Sequence, residues 1–476
     1  MAIGIIGAGP AGLFAADALA GTGEDITIID AGKEATLRNC PMANKYHYCV
    51  KCKPACNVMA GVGGAGTYSS GILNLNPHIG GDLVELVGDE AKAWDMVHTV
   101  EHFFLRYDDS IKVYDPDPVQ VRNVMRSASA SGIDFIPIRQ MLMGSDNSPR
   151  IIDAIYKNLV GRGVKFELST MIDQINEDKS LVTTDGETLG PFDYLIAAPG
   201  RFGMVWLSEQ VEKLGLKSSY ESIDIGVRVE VKSEILDEIC TIQRDPKFHI
   251  FTKTHDDMVR TFCTNHEGFV VLEAYNDATI GVNGVSYMNQ KSFNSNFAFL
   301  NRVNLTEPLE DSTRFGKAIA NTTTTLGGGK PIVQRLRDLR RGVRTTEKRL
   351  RKSNVIPTLP YDAITPGDVT LAYPGRIMQN IVEGLEQLDK VIPGVASDST
   401  LLYAPEIKYS AKRIKTTPDL ETTIDGFYVA GDGAGLSRGI VAAAVTGLIA
   451  ARSIKVKLGI EDPGDPVTRD VVATDL

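Results

Sequence analysis

The chain begins MAIGIIGAGPAGLFAADALAG, and this opening constrains the fold more than any other stretch. Ile3 to Ile6 are a short apolar run. Gly7, Gly9 and Gly12 then spell G-x-G-x-x-G, an Ala- and Leu-rich helical stretch runs to Leu19, and a second apolar run, Ile26 to Ile29, ends in Asp30. Strand, glycine turn, helix, strand and acid in that order specify a β-α-β unit that grips a dinucleotide. Gly7 permits the tight turn, Gly9 lets the backbone approach a pyrophosphate, and Gly12 lets the helix pack on the strand. The helix N-terminus offers unpaired N–H groups and its positive end to the anion. Asp30 is placed to accept from an adenosine ribose.

Two later segments narrow the choice of dinucleotide. DYLIAAPGRFG (193–203) is an apolar strand with a Gly-containing turn at Gly200, and GFYVAGDGAGLSRGIVAAAVTGLIAA (426–451) is a strand, an acid and a helix. With the PAG form of the first glycine motif, this trio resembles the FAD-binding pattern of glutathione-reductase-like flavoproteins. The resemblance implies that Gly431, Asp432, Gly439 and Ile440 close on the cofactor and that GVGGAGTYSSG (61–71), through Gly63, Gly64 and Gly66, runs along it. No second G-x-G-x-x-G with a following acid appears after residue 66, so no separate NAD(P)H domain is expected.

These positions predict an α/β protein whose Rossmann-like FAD-binding domain is assembled from residues 1–75, 148–205 and 415–460. A mostly helical insert is expected over 76–147 and a mixed, largely antiparallel-sheet substrate or cap domain over 206–414, where IDIGVRVEV and TFCTNHEGFVVLEAY alternate. Residues 461–476 read as a tail. A net charge of −10 argues against a broad nucleic-acid or anionic-membrane surface and favours a small-molecule substrate. The apolar stretch 439–451 is short for a bilayer span, no export signal is read, and a cytoplasmic location is expected.

CPMANKYHYCVKCKPACNVMAGVGGAGTYSSGILNLNP, with DIGVRVEV, RTFCTNHEGFVV, NGVSYMNQKSFNSNFAF and KPIVQRLRDL, resembles the uncharacterised FAD-dependent dehydrogenases of bacteria, archaea and plastids. The matches spread over most of the chain. What the resemblance implies is a flavoprotein fold and a redox role, with a more distant likeness to geranylgeranyl reductases.

Four of the six cysteines precede the second glycine cluster as C-x8-C-x2-C-x3-C: Cys40, Cys49, Cys52 and Cys56. Thiols at this spacing can hold a [4Fe–4S] cluster or tetrahedral zinc, Cys49 and Cys52 can form a redox dithiol, or the four are unrelated buried thiols. The position ahead of the flavin loop favours a cluster feeding electrons to the flavin. An electron-donor protein such as ferredoxin is a candidate partner, and QRLRDLRRGVRTTEKRLRKS (334–353) is either its docking site, an anion site or a solvated helical face. Tyr403, Glu406 and Lys408, just before the last FAD strand, are the candidate catalytic groups. His249 and His266 read as ordinary hydrogen-bonded or surface histidines, and Cys240 and Cys263 as core. The expected function is hydride or electron transfer between FAD and a small organic substrate. The alternatives are an RNA-associated flavoprotein or a non-catalytic FAD-bound assembly protein.

Overall fold

A strand reading A-I-G-I-I has no polar face, which suits a parallel sheet covered on both sides. In the computed structural model this strand, β1 (Ala2–Ile6), is the middle of a five-stranded parallel sheet. The structure describes residues 1–41, 50–69, 71–274, 279–287, 289–308 and 310–460. β1 pairs with β2 (Asp25–Asp30), and β3 (Lys165–Leu168) lies beyond β2. On its other side β1 pairs with β4 (Tyr194–Ala197), and Phe427–Val429 closes the edge. Segments far apart in sequence thus bring the carboxyl ends of their strands together, the place where open α/β sheets bind ligands.

The helix Pro10–Leu19 leaves β1 through Gly7, whose φ of +104° and position, with a Cβ that would lie 2.2 Å from the Ala198 carbonyl oxygen, exclude any side chain. It packs against the C-terminal helix Ile440–Lys457 so closely that a Cβ on Gly447 would lie 2.0 Å from the Ala11 carbonyl oxygen. The Ala- and Gly-rich composition of both helices permits this approach.

The second layer is an eight-stranded sheet. Its central members are β5 (Ile223–Lys232), β6 (Lys247–Phe251), β7 (Met258–Asn265), β8 (Asn294–Val303) and β9 (Leu401–Lys408). Pairing is antiparallel except between Ile332–Arg335 and the edge strand Thr365–Pro366. β5 reads IDIGVRVEVK. Its apolar set, Ile223 to Val231 at every second position, packs in one core with Ile377, Ile381 and Leu385 of the helix Gly375–Leu388. The alternate set, Asp224, Arg228 and Glu230, faces the other way and is equally buried. The segment 76–147 contains the helices Leu83–Val87, Glu90–Tyr107 and Pro118–Ala130, but also strands, and Ile133–Ile136 forms the outer edge of this second sheet against β6. No helix among the described residues is long and apolar enough to cross a membrane.

A cavity between the glycine loops and the second sheet

One continuous cavity of about 2080 Å³ lies between the carboxyl ends of the parallel strands and the polar face of the eight-stranded sheet. Typical small-ligand pockets hold roughly 300–1,000 Å³, so there is room for a dinucleotide and a second molecule. Gly7, Gly9, Asp30, Gly64, Gly66 and Gly200 line it from one side, and Gly431, Asp432, Gly439 and Ile440 from another. Gly12 and Gly63 stand behind this lining. A Cβ on Gly12 would lie 1.9 Å from the Gly7 carbonyl oxygen, and one on Gly63 would lie 2.2 Å from Thr67 Oγ1. Their role is to let the lining backbone pack.

Asp30 ties the lining loops together. Its Oδ2 accepts from the Ala8 N–H (2.8 Å), and its Oδ1 accepts from Gly32 (2.7 Å) and Gly61 (2.8 Å). A carboxylate has about four acceptor sites, so capacity for a ligand hydroxyl is left. Asp432 has a parallel task at the far end. Its Oδ1 accepts from Ser437 Oγ (2.7 Å) and the Gly439 N–H (3.1 Å), while Arg201 Nε lies 3.2 Å from Oδ2. Neither Gly9 nor Gly439 offers a side chain to cap its helix, so the helices Pro10–Leu19 and Ile440–Lys457 both begin at the cavity without a side-chain cap. Two positive helix ends therefore meet at one site, which suits an anionic cofactor.

The loop carrying the second glycine cluster is held by a residue that the motif reading did not single out. Arg38 is fully buried. Its Nε donates to the Asn57 carbonyl (3.0 Å), Nη1 to those of Val62 (2.6 Å) and Gly61 (3.4 Å), and Nη2 to those of Val58 (2.7 Å) and Gly64 (2.8 Å). Its guanidinium also sits 5.1 Å from the Tyr68 ring centroid. Burial pushes the guanidinium below its ordinary pKa, against the pull of Tyr68, Asp30 and Cys56.

Cys40, Cys52 and Cys56 line the same cavity, and Cys49 lies outside the described residues. Among the described residues no three His, Cys, Asp or Glu side chains come together to hold a metal, so Cys40, Cys52 and Cys56 do not form a ligand set with one another.

Of the three expected catalytic groups, Lys408 lines the cavity, whereas Tyr403 and Glu406 do not. Both are fully buried, because β9 is an interior strand flanked by β5 and Ile332–Arg335. The Tyr403 hydroxyl donates to Glu230 Oε2. Glu406 is held bidentately by Arg228, at 2.6 and 2.7 Å, and by Lys408 Nζ at 2.9 Å. Burial raises the Glu406 pKa, but Arg228 and Lys408 outweigh it and hold the carboxyl below its ordinary value. Such a group orients its neighbours; it has no proton to give.

Lys247, His249, Phe262 and Cys263 also line the cavity, from β6 and β7. His249 and Cys263 are therefore cavity-wall residues rather than an ordinary histidine and a core thiol. Cys263 has a φ of +48°, at an irregularity in the pairing of β7 with β8. Burial, then Arg260 and Arg302, lower the His249 pKa to about 4, so its ring is neutral near pH 7. The signal for this wall was present in IDIGVRVEV. Charged residues at every second position of a strand with an unbroken apolar face mark either solvent or a polar interior, and here they mark an interior. The arginine-rich segment 334–353 lies elsewhere. It forms short helices, Leu336–Arg340 and Glu347–Leu350; Arg335 pairs with Asp338 and Arg351 with Glu347 inside the segment, and Arg340 pairs with Glu386 outside it.

Comparison with known proteins bears on the second sheet most directly. Residues 222–409 match the family described as FAD-dependent protein, C-terminal domain-like. An uncharacterised protein of Clostridium beijerinckii is 24% identical over 479 residues, covering 96% of this chain and 81% of that one. Among solved structures, glycine oxidase from Geobacillus kaustophilus is 11% identical with a TM-score of 0.40, covering 99% of each chain. Iminodiacetate oxidase from Chelativorans sp. is 11% identical with a TM-score of 0.38, covering 98% of each. The wall that faces the glycine loops across the cavity thus lies within residues 222–409, the segment that matches the model described as FAD-dependent protein, C-terminal domain-like.

Proposed function

We propose that this chain is an FAD-dependent oxidoreductase that transfers a hydride or electrons between FAD and a small organic substrate. One observation carries the reading: the dinucleotide-binding loops and the polar face of the family-matched sheet line one uninterrupted cavity. Bound FAD would supply the redox chemistry. The protein's part is to hold and orient. The helix start at Gly9 and the Asp30 carboxylate take the dinucleotide end, the helix start at Gly439 takes the other end, and the sheet wall receives the substrate. Lys408 Nζ, facing the cavity with Glu406 and Arg228 behind it, is the candidate to hold or move a proton at the substrate. Electrons enter or leave through the substrate itself or through a visiting protein such as ferredoxin.

Titration of flavin-free protein with FAD tests this. One FAD per chain is expected. Asp30→Asn is expected to weaken uptake at least tenfold, because its amide NH2 must face at least one of the three N–H donors that now meet carboxylate oxygens. Failure of the folded wild-type chain to take up FAD would overturn the reading.

A further inference from the structure

At the substrate wall, three arginines share one carboxylate. Asp224 on β5 is 1% exposed. Arg260 Nη2 of β7 lies 2.6 Å from its Oδ2, Arg302 Nε of β8 lies 3.3 Å from its Oδ1, and Arg438, from the loop leading into Gly439, brings Nη1 to 3.6 Å from Oδ2. All three arginines line the cavity, while Asp224 stands behind them. Burial raises the Asp224 pKa, but Arg260 and Arg302, then Arg438, outweigh it, so the carboxylate stays ionised. One negative charge therefore meets three positive ones. The other groups facing the cluster do not correct the imbalance. His249 is neutral near pH 7, the neighbouring Lys247 is paired with Asp245, and Glu221 on the cavity wall adds a second carboxylate toward Arg438, which still leaves three guanidiniums against two carboxylates.

A structural clasp between the two sheets would need one arginine on Asp224. Three guanidiniums around one carboxylate repel one another unless a further anion joins them. A second observation points the same way: among the described residues the buried Arg260 Nε has no hydrogen-bond partner, although a buried donor left unpaired costs free energy. The planar fork of arginine matches carboxylate and phosphate oxygens bidentately.

We infer that Arg260, Arg302 and Arg438 form a site for an oxyanion group of the substrate, so that the molecule oxidised or reduced here is an organic acid or a phosphate ester. This inference rests on the oxidoreductase reading and names its substrate class. Neutral alkenes without an acid group are then not the substrates.

The test is calorimetric titration of FAD-loaded protein with succinate, with inorganic phosphate and with uncharged succinamide. Succinate or phosphate is expected to bind, and the tighter of the two identifies the oxyanion. Succinamide is expected not to bind. Arg302 is 34% exposed, so Arg302→Gln is tolerated by the fold; it is expected to weaken anion binding roughly 10- to 100-fold while FAD content stays at the wild-type level. Arg302→Lys is expected to restore part of the loss. Absence of binding by both anions, equal binding of succinamide, or an Arg302→Gln protein that binds anions as wild type does would overturn the inference. If the chain holds no FAD, the oxidoreductase reading fails by itself, and the same titrations on flavin-free protein still decide whether the anion site exists.

Discussion

Arg38→Ala is expected to abolish FAD uptake and to destabilise the fold by on the order of 3–5 kcal/mol. Five backbone carbonyls between Asn57 and Gly64 converge on this one guanidinium. Truncation takes the donor from the Asn57, Val58 and Val62 carbonyls, while those of Gly61 and Gly64 keep the Gly64 and Thr67 N–H groups; each buried acceptor left unpaired costs about 1–3 kcal/mol before the loop relaxes. The loop relieves that cost by opening to water, which removes Gly64 and Gly66 from the cavity wall. Arg38→Lys is expected to fall between the two, since an ammonium has three donors and no fork. Thermal melting with and without FAD measures both effects. An alanine variant that melts with wild type and still takes up FAD would show that the loop holds its own shape.

The second large effect separates two buried carboxylates that lie on paired strands. Glu406→Gln is expected to cost about 3–5 kcal/mol, because it leaves Arg228, itself fully buried, without its counter-ion. Glu230→Gln is expected to cost about 1 kcal/mol or less. Among the described residues no cation pairs with Glu230; its oxygens accept from Thr358, Asn294 and Tyr403, and burial raises its pKa. A glutamine keeps one acceptor oxygen, and its amide can donate to a reoriented Tyr403 hydroxyl.

The two sites also respond oppositely to pH. The folded pKa of Glu406 is depressed, so its stabilisation is present above the unfolded value, about 4.3, and is lost as pH falls through the folded one. The folded pKa of Glu230 is raised, so its contribution is present below the unfolded value and is lost as pH rises through the folded one. Urea titrations from pH 4 to 8 should therefore find Glu406→Gln most damaging at the upper end. Equal losses for the two variants at pH 7 would contradict this assignment.

Much of the cofactor side was legible because its determinants are local. A glycine turn, the helix after it and the acid that ends the next strand lie within Gly7 to Asp30, and backbone geometry alone dictates the residue types. Gly200, Asp432 and Gly439 follow the same logic. Arg38 was not legible, since its partners are carbonyl groups that every residue possesses and a buried arginine looks in sequence like an exposed one. The substrate wall was half legible. The alternation in IDIGVRVEV gives an antiparallel strand with one apolar face, but alternation does not distinguish a polar face in water from one turned to a cavity. The catalytic expectation rested instead on the position before the last FAD strand, so it included Tyr403 and Glu406, which packing encloses; Arg260 and Arg302 went unremarked, and His249 read as an ordinary histidine. The edge strand Ile133–Ile136 escaped for a related reason: four residues after a helix carry too little periodicity, and their pairing is with β6, more than a hundred positions later.

The central claim is that far-separated segments close on one FAD molecule. Hydrogen exchange with and without saturating FAD tests it most directly. Protection is predicted together in the backbone amides of residues 7–13, 57–67 and 431–443, with little change in the arginine-rich segment 334–353. FAD that fails to bind, or that binds and protects the first glycine turn while leaving residues 431–443 unchanged, would contradict the account.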